Sequence, residues 1–312
     1  MKSWGFIVLL CLAHTLRAET VWIDTDVSIG SPIREVDDAY ALILAFHSPE
    51  IRIAGISTSY GNAPLGHTHR TAQDLFRRFG SIGDLKFGDV FAGAASRRDL
   101  QRPTRASEAL AAALQKQTLT YIALGPLTNL AAFLELHPKL AHRIERVILL
   151  GGQAPGSTLA FGPNRSFHIH DANVFKDPAA VAVVLRSEIP LVLVPVETAS
   201  RLAIDGQDMR KLESDGAAGK YLARRSRIWL WFWTRFVKTE GGPIFDACAI
   251  LPVTRPGLLT VEERYAAVDR SGNLIVTRRR TPGARTVGYC AKLAPEAKEF
   301  VVGRIVTRRS RE

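Results

Sequence analysis

The chain has 312 residues, of which 46% are hydrophobic and 23% are charged, a balance typical of globular proteins. This composition excludes intrinsic disorder, and 3 Cys are too few for a small disulfide-stapled fold. The 41 Lys and Arg residues outnumber 30 Asp and Glu, and the net charge of +11 makes nucleic-acid binding one hypothesis. The length allows one large domain or two ordinary ones.

The N-terminus has the pattern of a secretory signal peptide. It opens with Met1-Lys2-Ser3, runs without charge from Trp4 to Ala13, and continues with Arg17-Ala18-Glu19. The apolar run is shorter than the ~20 residues that span a bilayer; the alternative is a buried N-terminal helix. We therefore expect residues 1–18 to be cleaved off near Ala18. The protein would then be periplasmic or secreted, with no stable membrane anchor, and 19–312 would form a single domain.

Predicted strands and helices alternate along most of the chain. The predicted strands are the apolar runs 21–26, 51–58, 119–124, 145–151 and 189–195. The predicted helices are 36–47, 67–80, 105–116, 178–187 and one that begins near Thr128. This alternation predicts an α/β fold, with an open, mostly parallel sheet flanked by helices.

The C-terminal part has a different pattern. Residues 264–277 predict a β-hairpin around Ser271-Gly272-Asn273, and a last strand is predicted near 286–291. We therefore expect a small C-terminal β appendage. After removal of the leader the remaining cysteines are Cys248 and Cys290, and the sequence leaves open whether they pair or stay reduced.

Polar residues collect where the predicted strands end. They are Asp24, Asp26, Asn62, Thr128, Asn129, Asp171 and Asn173. Ligands of open parallel sheets bind at the carboxyl ends of the strands, and carboxylates crowded there repel one another unless a cation lies between them. Oxygen ligands favour a divalent cation, and the His and Cys spacing of zinc sites is absent from the sequence. Taken singly, Asp37 or Asp38 fits an ordinary acidic residue at a helix N-terminus.

Several short motifs occur in a fixed order along the chain. They are Asp24-Thr25-Asp26 with Asp37-Asp38-Ala39, Gly61-Asn62, Gly125-Pro126-Leu127-Thr128-Asn129, Ile148-Leu149-Leu150-Gly151-Gly152, Asn173 to Pro178, and Gly242 to Ala247. Each motif alone is weak. As an ordered set over about residues 20–300, they resemble the inosine–uridine preferring nucleoside hydrolase family.

The resemblance implies a Ca²⁺-dependent enzyme that hydrolyses the N-glycosidic bond of ribonucleosides to ribose and a free base. It implies that Asp26 is the general base that acts on the attacking water. The implied metal ligands are Asp26, Asp38, the backbone carbonyl of Thr128, and Asp246. The resemblance also implies that Asp37, Asn62 and Asn173 contact ribose and water. Asp24 would be a supporting residue behind them. The expected partners are a small-molecule nucleoside, no nucleic acid, and copies of the chain in a homodimer or homotetramer.

The first departure from the family pattern lies between its two acidic motifs. Ten residues separate Asp26 from Asp37, where the usual motif has three. Gly30 and Pro32 favour a loop. We therefore expect a loop insertion at 28–36 that borders the pocket.

Two further departures concern substrate binding. Phe245 precedes Asp246, where many members have His as the leaving-group acid. An aromatic residue there resembles the purine-preferring branch, so we expect purine preference with Phe245 stacking on the base, ordinary core packing being the alternative. Asp171 stands where the family often has Glu, and the ribose 5′ side is expected to meet Asp171 or Asn164.

An aromatic segment follows later in the chain. Trp229, Trp233 and Phe236 have spacings of four and three, which predicts that they share one helical face. A helix packed on the core is one interpretation, and a lid helix over the base pocket is the other.

Three alternative functions stay open at this point. A catalytically weak nucleoside or ribose binding protein of the same fold is suggested by the insertion and by Phe245. A haloacid-dehalogenase-like phosphatase is suggested by the strand that ends in Asp24-Thr25-Asp26, although the later motifs do not fit it. Nucleic-acid binding rests on net charge alone, since no basic motif is interleaved with aromatic residues.

Overall fold

The computed structural model describes residues 18–30, 35–80, 87–153, 159–269 and 274–307. The predicted signal peptide, apart from Ala18, lies outside the described residues. So do residues 31–34 of the predicted insertion and the turn of the predicted C-terminal hairpin.

Most strands of the described chain belong to one central sheet. The strands are β1 (Glu19–Thr25), β2 (Ile51–Thr58), β3 (Val90–Ala92), β4 (Leu119–Ala123), β5 (Ile144–Leu150), β6 (Leu159–Phe161), β7 (Phe167–Ile169), β8 (Leu191–Val194), β9 (Ala203–Ile204), β10 (Gly242–Pro243), β11 (Leu259–Val268), β12 (Leu274–Thr277) and β13 (Arg285–Leu293). Nine of these form the sheet in the order β12-β11-β13-β8-β5-β4-β1-β2-β3. The pairs from β13 to β3 are parallel, and β11 is antiparallel to both of its neighbours.

Helices lie between the strands along the chain. They are α1 (Asp37–Phe46), α2 (Leu65–Phe79), α3 (Arg105–Lys116), α4 (Thr128–Leu136), α5 (Ala172–Lys176), α6 (Pro178–Arg186), α7 (Val196–Ala199), α8 (Gly206–Ser214), α9 (Ala217–Trp231), α10 (Phe245–Cys248), α11 (Leu251–Thr254) and α12 (Ala297–Val306). None of the helices in the described part of the chain has both the length and the apolar composition needed to cross a bilayer.

The sheet is buried on both faces. In β1, Val21 and Ile23 belong to one hydrophobic cluster, whereas Trp22 between them belongs to a second. Successive side chains of a strand point to opposite faces, so the two clusters are the two layers that cover the sheet. The α/β fold with a mostly parallel, helix-flanked sheet is therefore confirmed.

The C-terminal β strands continue the central sheet. β13 pairs in parallel with β8 through Gly288 and Tyr289, and β11 and β12 follow it as antiparallel edge strands. The predicted β appendage is therefore the edge of the main sheet. Cys248 and Cys290 are both buried free thiols, which answers the question that the sequence left open.

The aromatic segment after α9 departs from regular α-helical geometry. Residues Phe232–Val237 form a π-helical turn, in which hydrogen bonds join residues five apart. Trp229 and Trp233 are buried, but Phe236 is 66% exposed. The predicted common face was therefore wrong for Phe236, because the wider turn rotates it away from the other two.

Candidate active site

The carboxyl ends of neighbouring parallel strands bring the first polar residues together. Asp24 pairs in register with Ser57 of β2 and with Ala123 of β4. The chain leaves β1 into Asp26, and it leaves β2 into the Gly61-Asn62 turn, where the Asn62 backbone N–H donates to Asp26 Oδ2 at 2.7 Å. The sequence motifs therefore meet at one edge of the sheet, as predicted from strand order.

Asp24 lies behind this edge and is fully buried. Its Oδ1 accepts hydrogen bonds from Ser57 Oγ at 2.6 Å and from Asn129 Nδ2 at 2.7 Å. Burial raises the pKa of the Asp24 carboxyl to about 6. A fully buried carboxylate held by two donors cannot reach a phosphate ester. Its placement thus argues against the phosphatase alternative and for a supporting role.

Asp26 is held from two sides. Asn62 contacts it through the backbone and also bridges to Asp38, since Asn62 Nδ2 lies 3.1 Å from Asp38 Oδ2 and 3.4 Å from Asp26 Oδ1. Lys176 Nζ lies 3.4 Å from Asp26 Oδ2 and 3.4 Å from Asn62 Oδ1. Burial raises the pKa of Asp26, and the ammonium of Lys176 opposes that rise.

Three further carboxylates converge beside Asp26. Asp37 and Asp38 form the first turn of α1, and Asp246 lies in α10; all three are buried, and each offers an oxygen within 4.8 Å of the others. Burial raises the pKa of Asp38 to about 7, and the charge of Asp26 contributes. The pKa values of Asp37 and Asp246 are raised well above the ordinary value by burial and by the neighbouring carboxylates.

This arrangement fits a divalent cation. Asp37 Oδ1 is buried without a hydrogen-bond partner among the described residues, so one of the three clustered carboxylates has a polar atom that is left unsatisfied. Carboxylates this close destabilise one another unless protons or a metal ion neutralise them. The set that the structure brings within 4.8 Å contains Asp37, whereas the carboxylate oxygens of Asp26 contact Asn62 and Lys176.

Thr128 and Asn173 lie at neighbouring strand ends. Thr128 begins α4, and its buried hydroxyl donates to Asp177 Oδ2 at 2.6 Å. Asn173 Nδ2 donates to the backbone carbonyls of Leu124 and Leu150, at 2.7 and 3.0 Å, and thereby ties together the chain beyond β4 and the end of β5. The metal contact expected of the Thr128 carbonyl stays a prediction.

Asp171 is already engaged by the backbone. It caps α5 by accepting the Val174 N–H at Oδ1, and its Oδ2 accepts the N–H groups of Gly152 at 2.6 Å and of Gln153 at 3.3 Å. The expected contact between Asp171 and the ribose 5′ side stays a prediction. Such a contact would compete with these hydrogen bonds for the same carboxylate oxygens.

Asn164 and Phe245 differ in their exposure to solvent. Asn164 is exposed in the turn between β6 and β7. Phe245 begins α10 directly before Asp246, and it is 6% exposed within a hydrophobic cluster. The structure thus favours the packing interpretation of Phe245, while its position beside a cluster carboxylate is compatible with a contact to the base.

Sequence reasoning missed two charged residues at the site. Glu35 lies near the end of the predicted insertion at 28–36. Its Oε2 accepts the Trp229 indole N–H at 3.4 Å, and its charge adds to burial in raising the pKa of Asp37. Burial raises the pKa of Glu35 itself. Lys176 lies inside the Asn173 to Pro178 motif but was given no role. The available signal was a lysine directly before Asp177 in a motif that the resemblance had already assigned to the site.

Comparison with known proteins identifies a family. The family model described as inosine-uridine preferring nucleoside hydrolase matches residues 21–300. A pyrimidine-specific ribonucleoside hydrolase, RihA of Citrobacter koseri, is 27% identical over 281 residues, which cover 81% of this chain and 85% of that protein.

Solved structures share the fold. A plant nucleoside hydrolase, the PpNRh1 enzyme, has a TM-score of 0.76 at 22% identity, covering 93% of this chain and 98% of its own. A purine-preferring ribonucleoside hydrolase from Gardnerella vaginalis has a TM-score of 0.75 at 20% identity, covering 92% and 98%. The family match spans nearly the whole chain, and the carboxylates stand where its motifs converge. The chain therefore belongs to the inosine-uridine preferring nucleoside hydrolase family and is an N-glycosyl hydrolase of ribonucleosides.

Proposed function

We propose that the enzyme uses Ca²⁺ to hydrolyse purine ribonucleosides to ribose and the free base. The observation that carries this proposal is the buried group Asp37, Asp38 and Asp246, with Asp26 beside it. Buried carboxylates in such number repel one another unless protons or a cation neutralise them, and a bound cation does so while leaving Asp26 free to act as a base.

The chemistry of the donors supports Ca²⁺. Asp26, Asp38, Asp246 and the Thr128 carbonyl would hold the ion, and Asp37 offers one more oxygen to the ion or to a ribose hydroxyl. Ca²⁺ accepts six to eight oxygen ligands in flexible geometry, whereas Mg²⁺ demands a near-ideal octahedron. When bound, the ion would act as a Lewis acid that lowers the pKa of a bound water.

The side chains of this site supply proton transfer and charge stabilisation. Asp26 would accept the proton of the attacking water, and the Asn62 backbone N–H holds its Oδ2 in place for that task. Departure of the base leaves positive charge on the ribose, as in other glycoside hydrolyses, and the surrounding carboxylates would stabilise that charge. Ribose hydroxyls would donate hydrogen bonds to the Asp37 carboxylate, and Asn62 would also bond to the ribose. These contacts would orient the sugar and disfavour deoxyribose.

Purine preference is proposed from Phe245. A phenyl ring precedes Asp246, and no imidazole at that position is available to protonate a pyrimidine leaving group. The relatives divide on this point, since the Gardnerella protein is purine-preferring and the Citrobacter protein is pyrimidine-specific. The assay below therefore compares purine and pyrimidine nucleosides directly.

The decisive experiment measures ribose release from inosine, guanosine, adenosine, uridine and cytidine, after EDTA treatment and after addition of Ca²⁺ or Mg²⁺. We expect Ca²⁺ to restore activity, with higher kcat/KM for the purine nucleosides. Asp26→Asn should lower kcat by about 10²- to 10⁴-fold, because the general base is lost. Asp215→Asn, a change at an exposed carboxylate, is the matched control.

Each outcome of this assay has a clear meaning. Ribose release equal in the Asp26→Asn variant and in the wild type would exclude Asp26 as the base. Nucleoside binding by calorimetry without release of ribose from any substrate would favour the binding-protein alternative. Faster turnover of uridine and cytidine would overturn the purine preference alone.

We also propose that the protein is exported after cleavage near Ala18 and forms a homodimer or homotetramer. The N-terminal charge pattern supports export. N-terminal sequencing of the protein from a cell-envelope or medium fraction tests the first point. Light scattering coupled to size exclusion tests the second, since a monomeric mass would contradict it.

A further inference from the structure

The outer face of α9 and of the π-helical turn that follows it carries an unusual combination of side chains. Between residues 217 and 238 the sequence contains six basic residues and no acidic one. Large apolar side chains are exposed on the same segment: Ile228 is 55% exposed, Trp231 59% and Phe236 66%. We call this surface the basic aromatic face; its exposed residues are Lys220, Arg224, Arg227, Ile228, Trp231, Arg235, Phe236 and Lys238.

Helical geometry makes this face continuous. Residues three and four apart on an α-helix are neighbours, so Arg224, Arg227, Ile228 and Trp231 form one stripe. The π-helical turn places residues five apart above one another, and Phe236 therefore continues the stripe beyond Trp231. The opposite side of the segment is buried through Trp229 and Trp233, which fixes the exposed face outward.

Packing against the protein holds the face in this orientation. Trp233 contacts Phe161 and Phe167 of the β6–β7 hairpin edge-to-face, with ring centroids 4.9 and 5.7 Å apart. Phe236 stacks on Phe232 at 5.2 Å. Because the inner rings are anchored, the outer apolar side chains cannot turn inward to escape water, and burying them requires a partner.

We propose that the basic aromatic face docks reversibly on an anionic lipid surface. Helices with Lys and Arg beside Trp, Phe and other apolar side chains lie in the boundary between headgroups and acyl chains. Basic residues near an anionic surface gain electrostatic attraction, and an indole with its apolar body and N–H suits the interface. One arginine of the face, Arg227, forms an ion pair with Glu213 at 2.6 Å.

Charge argues against a second copy of the chain, and the shortage of free rings argues against nucleic acid. A second copy packed symmetrically on this face would oppose arginines with arginines, which is repulsive. A single-stranded nucleic acid stacks successive bases on several aromatic rings. This face offers exposed Trp231, but Phe236 is stacked on Phe232 and Ile228 has no ring. Lipid phosphates and acyl chains satisfy both the basic and the apolar members of the face.

The test is vesicle flotation with phosphatidylglycerol–phosphatidylcholine vesicles and with pure phosphatidylcholine vesicles. We expect binding to the anionic vesicles that weakens with salt. Trp231→Ser combined with Phe236→Ser should reduce the partition coefficient about tenfold or more. Arg224→Gln combined with Arg235→Gln should reduce it by a similar factor. The matched controls are Val261→Ser, at a residue 54% exposed on β11, and Arg279→Gln combined with Arg280→Gln.

Tryptophan fluorescence gives a second measurement. Trp22, Trp229 and Trp233 are buried, so Trp231 is the exposed tryptophan of the described chain. We expect a blue shift of emission on addition of anionic vesicles, and its loss in Trp231→Phe although that variant still floats. All variants share residues 1–17, so any contribution from that segment cancels in the comparison.

Defined results would overturn the proposal. Flotation that is absent, or unchanged by the Trp231 and Phe236 substitutions, excludes this face as the lipid contact. A homo-oligomer that dissociates in the Trp231→Ser and Phe236→Ser variant would assign the face to a second copy. Binding to oligonucleotides that is stronger than to anionic vesicles, and is lost in the same variant, would assign it to nucleic acid.

Discussion

The carboxylate of Asp26 is positioned by the close approach of the chain at Gly61. A Cβ atom on Gly61 would lie 1.7 Å from Asp26 Oδ2, a distance that no packing can accommodate. Glycine is therefore required here to let the Asn62 N–H reach that oxygen. The position of the proposed base thus depends on a residue that carries no chemistry of its own.

This dependence gives the first prediction. Gly61→Ala should lower kcat/KM by about 10²-fold, because a displacement of about 1 Å at a reacting group costs that much. Ribose release measures the loss of activity, and thermal denaturation measures separately any loss of stability. Gly257→Ala is the matched control, since a Cβ there meets no atom of the described chain within 4 Å. Full activity in the Gly61→Ala variant would show that Asp26 tolerates displacement.

Lys176 supports a second prediction, which concerns the affinity for the metal. Its ammonium lies 3.4 Å from Asp26 Oδ2, so a cation entering the cluster meets a positive charge that already binds that carboxylate. Lys176→Met should therefore tighten Ca²⁺ binding about tenfold, measured by calorimetry on the EDTA-treated protein. Lys176→Arg keeps the charge, and Lys139→Met changes an exposed lysine elsewhere. Unchanged affinity in the Met variant would mean that Lys176 moves away when the ion binds.

Some site residues were predicted because their position follows from strand order, whereas Asp37, Asp38 and Asp246 were predicted because their motifs resemble those of the family. Asp26, Asn62 and Asn129 follow parallel strands, and parallel strands end at one edge. Glu35 and Lys176 escaped prediction because long side chains reach the site from a loop and from a short helix, and spacing does not encode that reach. Asp171 was assigned to substrate, although an Asp before a helix is also a regular N-cap.

At the scale of elements, one misjudged segment was the aromatic segment after α9, which has irregular geometry. A period of 3.6 residues predicts a common face for Trp229, Trp233 and Phe236, and a single π-helical turn is enough to break that period after Trp233. The alternating strands and helices lie within about two residues of their predicted bounds, and α3 (Arg105–Lys116) matches them. Sequence patterns therefore predict elements of regular geometry well, but they do not predict a single π-helical turn inside a helix.

One side chain joins the C-terminal strands to a helix, and this contact yields a third prediction. The guanidinium of Arg285 in β13 donates to the carbonyls of Val184, Leu185 and Ile189, at and beyond the end of α6. A cation at a helix C-terminus satisfies carbonyls and complements the helix dipole. Arg285→Met should lower the free energy of unfolding by about 1–3 kcal/mol, measured by urea denaturation. Arg279→Met, at an exposed arginine, should leave it unchanged.

At the scale of the whole molecule, the sheet creates the electrostatic problem that the cation would solve. Two hydrophobic layers cover the strands and exclude water from their carboxyl ends, where Asp24, Asp26, Asp38 and Asp246 are buried. Low local polarity strengthens the repulsion among these carboxylates. The net charge of +11 does not neutralise these buried acids, because the arginines are mainly at the surface.

The stability of the metal-free protein should therefore fall as the pH rises. Burial raises the pKa of Asp24 to about 6 and that of Asp38 to about 7, above the ordinary value of 3.8. From about pH 4 to about pH 7 the folded state then holds more protons than the unfolded state, so stability is lost through this window. Thermal denaturation in EDTA from about pH 5 to about pH 8 measures the loss, and Asp38→Asn should flatten the curve.

Addition of Ca²⁺ should reverse this trend. The ion binds deprotonated carboxylates of the folded state, so the increase in Tm that it produces should grow from about pH 5 to about pH 8. Protons and the ion would then be alternative ways to neutralise the same buried cluster. An increase in Tm that is equal at both pH values, or that persists when Asp38 and Asp246 are both replaced by Asn, would show that Ca²⁺ binds elsewhere.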